Sequence, residues 1–161
     1  IAFSPTGERL TDAYVRSFSS QPAGQMVLVC GRYEGIDERF LETYVDHTVS
    51  LGDFVLSGAE LAACALIDAV VRQLPGAIKE LSASDESFST GLLDAPHYTR
   101  PEVWRGKGGP EGLLTGHPAN IARWTREKTL KITGQKRPDL IKIARSLGRL
   151  SSEDEAFLRK N

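Results

Sequence analysis

Met26-Val27-Leu28-Val29-Cys30-Gly31-Arg32-Tyr33-Glu34-Gly35 is the stretch on which the reading of this chain turns. Five consecutive apolar residues without alternation read as a strand buried on both faces, the pattern of a parallel sheet covered by helices. A loop with two glycines follows at once, at the carboxyl end of that strand, where open α/β sheets bind their ligands. Working outward, Ile1–Ser4 reads as another strand ending in the turn Ser4-Pro5-Thr6-Gly7, and His47-Thr48-Val49-Ser50 as a third. Between them, Leu10, Ala13, Tyr14 and Phe18 repeat at helical spacing, Gln21–Gly24 breaks that helix, and Ile36–Tyr44 reads as a short helix. Leu61, Cys64, Ile67, Asp68, Val71 and Leu74 define a longer one that stops at Pro75-Gly76. The fold class is α/β with a largely parallel sheet.

Residues 80–90 shift to Ser, Asp and Glu and read as a linker or mobile loop. Beyond Pro96 the pattern is proline-rich and then helical, with a helix start at Pro138-Asp139 and Ser151/Ser152 with Glu155 as a capping box for the last helix. The expected organisation is an α/β domain over residues 1–79, a flexible linker over 80–95, and a small basic helical domain over 96–161.

The 161 residues are 40% hydrophobic and 25% charged, a globular composition that excludes wholesale disorder. No apolar run is long enough to cross a bilayer, so no membrane partner is expected. Cys30 and Cys64 stand in neither CxxC nor Cys/His spacing, and His47, His97 and His117 are scattered, so neither a disulfide framework nor a metal site is expected. Without a secretory signal, the expected location is the cytoplasm. The chain opens at Ile1, in what reads as the middle of a domain, and is expected to be a fragment of a longer protein.

The net charge of −1 conceals an asymmetry. Residues 1–96 carry 6 Lys/Arg against 14 Asp/Glu, whereas residues 120–149 carry 9 cations against Glu127 and Asp139 alone. Such a concentration of cations attracts a polyanion, and phosphate contacts dominate nucleic-acid affinity. Three glycine-bearing loops follow strands: Ser4–Gly7, Gly31–Gly35 and Ser50–Glu60. They leave backbone N–H and C=O groups available to a nucleoside. No dinucleotide fingerprint, phosphate-binding Gly-x4-Gly-Lys loop or serine nucleophile elbow is present.

Leu28–Arg39, Ser50–Gly58, Leu66–Val70 and Gly91–Val103, in that order, resemble the bacterial tRNA (guanine-N1)-methyltransferases, the TrmD family of the SPOUT superfamily. The resemblance runs from Ser4 to about Leu140. It implies a SPOUT-type parallel sheet with a deep trefoil knot, followed by a small helical C-terminal domain. It implies S-adenosylmethionine as methyl donor, Mg²⁺ as an optional assistant, and tRNA carrying guanosine 37 as substrate. A homodimer with active sites shared between subunits also follows from it.

By the same resemblance, Phe3 and Pro5 match the first cofactor loop, Gly31, Tyr33 and Glu34 the second, and Ser50, Leu51, Gly52, Phe54, Leu56 and Gly58 the third. Arg72 matches the arginine that stabilises charge on guanine O6, and Asp85 or Glu86 the base that takes the N1 proton. His97, Tyr98 and Arg100, with Arg123 and Arg126 of the basic segment, fall to the tRNA. The chain departs from the family pattern at Ala59 and Ala62 in the third loop, at Glu86 where the family places its aspartate, at Gly116-His117-Pro118-Ala119, and at Thr125. The alternative reading is a catalytically impaired SPOUT-type RNA-binding module. A SPOUT enzyme acting on ribose or ribosomal RNA is a further one.

Overall fold

A computed structural model describes residues 1–20, 24–77, 87–114 and 116–160. The chain forms two compact units, Ile1–Ala83 and Ser84–Asn161.

The first unit is α/β. Strand β1 (Ala2–Arg9) pairs in parallel with β2 (Thr48–Ser50). Helices α1 (Asp12–Ser19), α2 (Glu38–Tyr44) and α3 (Glu60–Val71) complete it. Val49 faces Phe3 on one side of an irregularity in β1 and Glu8 on the other, so Ser4–Gly7 bows out of the ladder. Ser4 Oγ holds that bow by accepting from the Thr6 amide, and a Cβ on Gly7 would lie 2.5–2.6 Å from the Thr48 and Val49 backbone. Only glycine lets the two strands approach this closely.

Thr11 caps α1 by accepting from the Tyr14 amide. Val15 and Phe18 are its buried residues, and α1 packs on α3, whose Ala62, Ala63 and Leu66 are buried. Helix α3 is apolar around most of its circumference, and α1 covers one side. Leu61, Cys64, Ala65 and Val71 remain exposed on the other.

The doubly buried strand expected at Met26–Cys30 does not form. Val29 makes an isolated parallel bridge to Ala2, with the Ile1 ammonium donating to the Val27 carbonyl at 2.8 Å and the Val29 amide to the Ile1 carbonyl at 2.8 Å. Met26 and Val27 are exposed. A strand is buried on both faces only where elements cover both, and among the described residues this segment has one short neighbour.

The second unit holds the hairpin β3 (Val103–Trp104) and β4 (Lys107–Gly108), then helices α4 (Glu111–Leu114), α5 (Pro118–Lys136), α6 (Pro138–Ser146) and α7 (Ser152–Lys160). Proline opens both α5 and α6, where its missing N–H has no helical partner to lose. Leu92, Leu130, Ile141 and Ala144 form the core, closed by Leu150, Phe157 and Leu158. Leu92 and Ala95 lie within the stretch expected to be linker, yet both are buried, and the Leu93 amide donates to Thr133 Oγ1 at 3.0 Å. The capping box of α7 uses Ser151 as expected but takes Asp154, not Glu155, as its acidic partner. Ser151 Oγ accepts from the Asp154 amide, and Asp154 Oδ2 accepts from the Ser151 amide at 2.8 Å. Glu155 instead accepts from Arg145 of α6.

Candidate functional site

The three glycine-bearing loops of the first unit meet around one open cavity of about 610 Å³. Phe3 and Pro5 reach it from the β1 bow, Gly31, Tyr33 and Glu34 from the second loop, and Ser50, Leu51, Gly52, Phe54, Leu56 and Gly58 from β2 and the loop after it. All eleven residues expected at a cofactor are therefore among its lining. The volume is that of a small-molecule site.

Local chemistry explains each wall. Tyr33 adopts a left-handed backbone (φ 61°) and Gly35 a positive φ of 119°, which reverse the chain within five residues, and the Gly35 amide donates to the Arg32 carbonyl. The reversal leaves Tyr33 99% exposed. In the third loop the Ser50 hydroxyl accepts from the Gly52 amide at 3.2 Å, turning the chain at the end of β2. Gly52 is buried, and the Phe54 amide donates to its carbonyl. The second and third loops are stitched together. Arg32 bridges to Gly58, the Ala59 amide donates to the Gly31 carbonyl, and Arg32 Nε donates to Glu60 Oε1 at 2.7 Å. That guanidinium holds the Glu60 carboxyl below the usual carboxylate range.

Glu34, Glu38 and Glu42 are among the lining residues, and Arg32, tied to Glu60, is the cation in the lining. The balance favours a ligand carrying positive charge beside its flat or apolar parts. The exposed Phe54, Val55 and Leu56 supply the apolar contact. Arg32, Glu38 and Glu42 were not assigned to the cofactor from the sequence, although Arg32 and Glu38 lie within the Leu28–Arg39 motif; the signal for the two glutamates was the Glu34-x3-Glu38-x3-Glu42 spacing.

Arg72 is exposed and caps the far end of α3, about 18 Å along the helix axis from Glu60 at ~1.5 Å per residue. It is not part of the lining. Asp85 and Glu86 lie outside the described residues.

In the second unit, His97 Nε2 and Asp94 Oδ2 are hydrogen-bonded at 2.8 Å, while Asp94 Oδ1 accepts from the Ala95 amide. Tyr98 packs edge-on against Trp124 of α5, with Lys128 Nζ 5.7 Å from the centre of the same indole. Arg100 is exposed, and exposed Arg123 donates to Glu127 one turn on. Arg126 is occupied differently from the contact expected of it. Its Nε and Nη2 donate to both oxygens of the buried Asp154 at 2.9 and 2.7 Å. The pair raises the arginine's pKa and lowers the aspartate's. This arginine clamps α5 to α7. Among the described residues, Lys131, Lys136, Lys142 and Arg149 make no ion pair and carry the exposed positive charge. No group of three His, Cys, Asp or Glu side chains suited to a metal occurs among the described residues, and no described helix is long and apolar enough to cross a membrane.

Known proteins match the chain along nearly its whole length. The family model described as tRNA (Guanine-1)-methyltransferase TrmD matches residues 1–143. A tRNA (guanine-N(1)-)-methyltransferase of Polaromonas sp. (strain JS666) is 52% identical over 162 aligned residues, covering 98% of this chain and 62% of its own length. That of Thiobacillus denitrificans is 57% identical over 145, covering 89% and 61%. That of Bordetella pertussis is 52% identical over 162, covering 98% and 62%. The chain thus spans about 62% of the length of such curated relatives. With four ordered motifs, a common cavity for its three loops and a family match across both units, this chain belongs to the tRNA (guanine-1)-methyltransferase TrmD family.

Proposed function

We propose that the protein to which this chain belongs transfers the methyl group of S-adenosylmethionine to N1 of guanosine 37 in tRNA. The observation that carries the reading is the convergence of eleven expected cofactor residues, from three separate loops, on one cavity of suitable size. The donor set fits the group. Carboxylates of Glu34, Glu38 and Glu42 suit the sulfonium and ammonium charges, and the backbone of the Ser50–Gly58 loop suits the adenine edge. When bound, S-adenosylmethionine supplies an electrophilic methyl group on sulfur.

The chain's own residues supply the rest. Asp85 or Glu86 accepts the proton from guanine N1, a weak acid, and the Arg72 guanidinium offsets the negative charge that then develops on O6. The cavity walls fix the line of approach, and positioning of this kind supplies much of the acceleration. The target base leaves the anticodon-loop stack to reach the cavity.

Arg72 sits a helix length from the cavity lining of its own chain, which supports an active site completed by a second subunit. The exposed apolar side of α3 is the surface we assign to that homodimer. The knotted SPOUT topology, the cytoplasmic location, and tRNA binding by the basic helices of the second unit belong to the same proposal. Mg²⁺ enters it as an optional assistant without an assigned ligand.

The test is methyl transfer from labelled S-adenosylmethionine, by the full-length protein, to transcripts bearing G37 or A37. Transfer confined to G37, and reduced by about 10²-fold or more in Arg72→Ala while S-adenosylmethionine still binds, is expected. Cofactor binding without transfer to either transcript refutes the enzyme and leaves an RNA-binding module.

A further inference from the structure

The β3–β4 hairpin presents an exposed aromatic ring, Trp104, beside two cations, Arg105 and Lys107. Val103 pairs with Gly108 and Trp104 with Lys107, so a two-residue loop, Arg105-Gly106, closes the ribbon. Both loop residues have positive φ, 49° and 77°, the twist that matches a tight hairpin. Glycine tolerates this conformation freely, whereas arginine is held in a sparsely populated one. Local folding alone favours Asn or Gly there, so the arginine stands against backbone preference.

Within the second unit, the described residues leave the hairpin uncovered. A Cβ built on Gly106 or Gly108 meets nothing within 4 Å, and Val103 and Trp104 are 58% and 57% exposed. The Arg105 guanidinium lies 4.9 Å from the centre of the Trp104 ring. Trp104 and Lys107 are direct cross-strand partners and therefore share one face of the ribbon. Among the described residues, neither Arg105 nor Lys107 makes an ion pair. Residues 100–107 hold three cations against Glu102 alone.

We infer that the Trp104–Lys107 hairpin is a stacking platform for an unpaired base of an RNA loop, with Arg105 and Lys107 engaging the flanking phosphates. An exposed indole is costly to leave in water without a partner, and a base offers it a flat π-face. A guanidinium already stacked on the ring polarises that contact and lies within reach of a phosphate. Positive charge beside the ring selects a polyanion over an apolar protein surface. The inference rests on the tRNA reading above and adds to it a site that reads single-strandedness rather than sequence.

The experiment compares full-length wild-type, Trp104→Ala, Trp104→Phe and Arg105→Gln proteins. Each is titrated with an anticodon stem-loop RNA and with the same stem as a loopless duplex, as a function of salt. Trp104→Ala is expected to weaken stem-loop binding about 10-fold, from the typical value of one base stack, and to leave duplex binding unchanged. Trp104→Phe keeps most of the affinity. Arg105→Gln lowers the salt slope by about 0.7, the share of one single-strand phosphate contact. Equal stem-loop affinity in Trp104→Ala and wild type overturns the platform while the tRNA reading stands. Equal losses on stem-loop and duplex, or a changed oligomeric state in sedimentation, assign the hairpin to general charge or to a subunit contact and also overturn it. Failure of the wild type to bind the stem-loop refutes the tRNA reading itself.

Discussion

Replacing Asp154 by Ala tests whether the second unit is held by the Arg126–Asp154 ion pair, whose carboxylate is buried. The Asp154 side chain is 8% exposed, and that of Arg126 37%. The carboxylate accepts from Arg126 twice and from the Ser151 amide at 2.8 Å, so truncation strands a guanidinium and removes the reciprocal half of the α7 capping box, while the Asp154 amide still donates to Ser151 Oγ. Stranding one member of a fully buried pair costs about 3–5 kcal/mol; partial solvation of Arg126 reduces this to about 2 kcal/mol. Loss of the hydrogen bond from the Ser151 amide adds about 1 kcal/mol. The expected destabilisation is therefore about 3 kcal/mol, a large share of the ~5–15 kcal/mol of a typical domain. Arg126→Met should destabilise by a similar amount, and the double variant by little more than either single one, giving a coupling of about 2 kcal/mol. Hydrogen exchange of the slowest α5 amides in the full-length protein reads the change in this unit alone. A shift below about 1 kcal/mol, or singles that simply add in the double variant, refutes the clamp. The same variants separate structure from recognition. Arg126→Met should leave the salt slope of tRNA binding unchanged, whereas Lys131→Gln or Lys142→Gln should each lower it by about 0.9 if the contacted RNA is duplex.

Further outcomes follow from the same geometry. Gly7→Ala places a Cβ against the Thr48 and Val49 backbone, which cannot swing aside as a side chain can. It should destabilise the first unit by about 1–3 kcal/mol in urea melts. Glu34→Gln should weaken S-adenosylmethionine binding about 10-fold by calorimetry, the typical worth of one charge-assisted contact, with an unchanged melting temperature. Asp154 has a depressed carboxyl pKa because Arg126 donates to it, and Asp139 and Glu155 are depressed by Arg137 and Arg145. A lowered folded-state pKa contributes stability above the unfolded value of about 4 and loses it as pH falls through the folded value. Acid unfolding followed by α5 exchange should therefore begin below about pH 4 in wild type, with a shallower slope in Asp154→Asn.

The sequence made some elements plain and others opaque, for physical reasons. Helices α2, α3 and α6 declare themselves through apolar spacing with Asp37 or Pro138 at their starts, signals that local chain chemistry enforces. Met26–Cys30 looked like a central strand because hydrophobicity reports a need for burial, not the presence of the neighbours that provide it. Asp154 and Glu155 are equally good capping partners by type. Which one turns back depends on Arg126 and Arg145 arriving from other helices, and single-chain spacing does not show this. The role of Arg126 was hidden for the same reason. A count of cations cannot tell which of them a folded acid has already claimed. The loops that line the cavity were legible because glycines after strands and a family pattern coincide there.

The two thiols offer an experimental handle that the loops and helices do not. Cys30 and Cys64 are both exposed and are the chain's only cysteines. Cys30 immediately precedes Gly31 of the cavity, while Cys64 lies on the uncovered side of α3. Alkylation kinetics at each position thus form a pair of footprints read from one peptide map. Protection of Cys30 tracks a small molecule settling between the loops, and protection of Cys64 tracks a macromolecular cover on the helix.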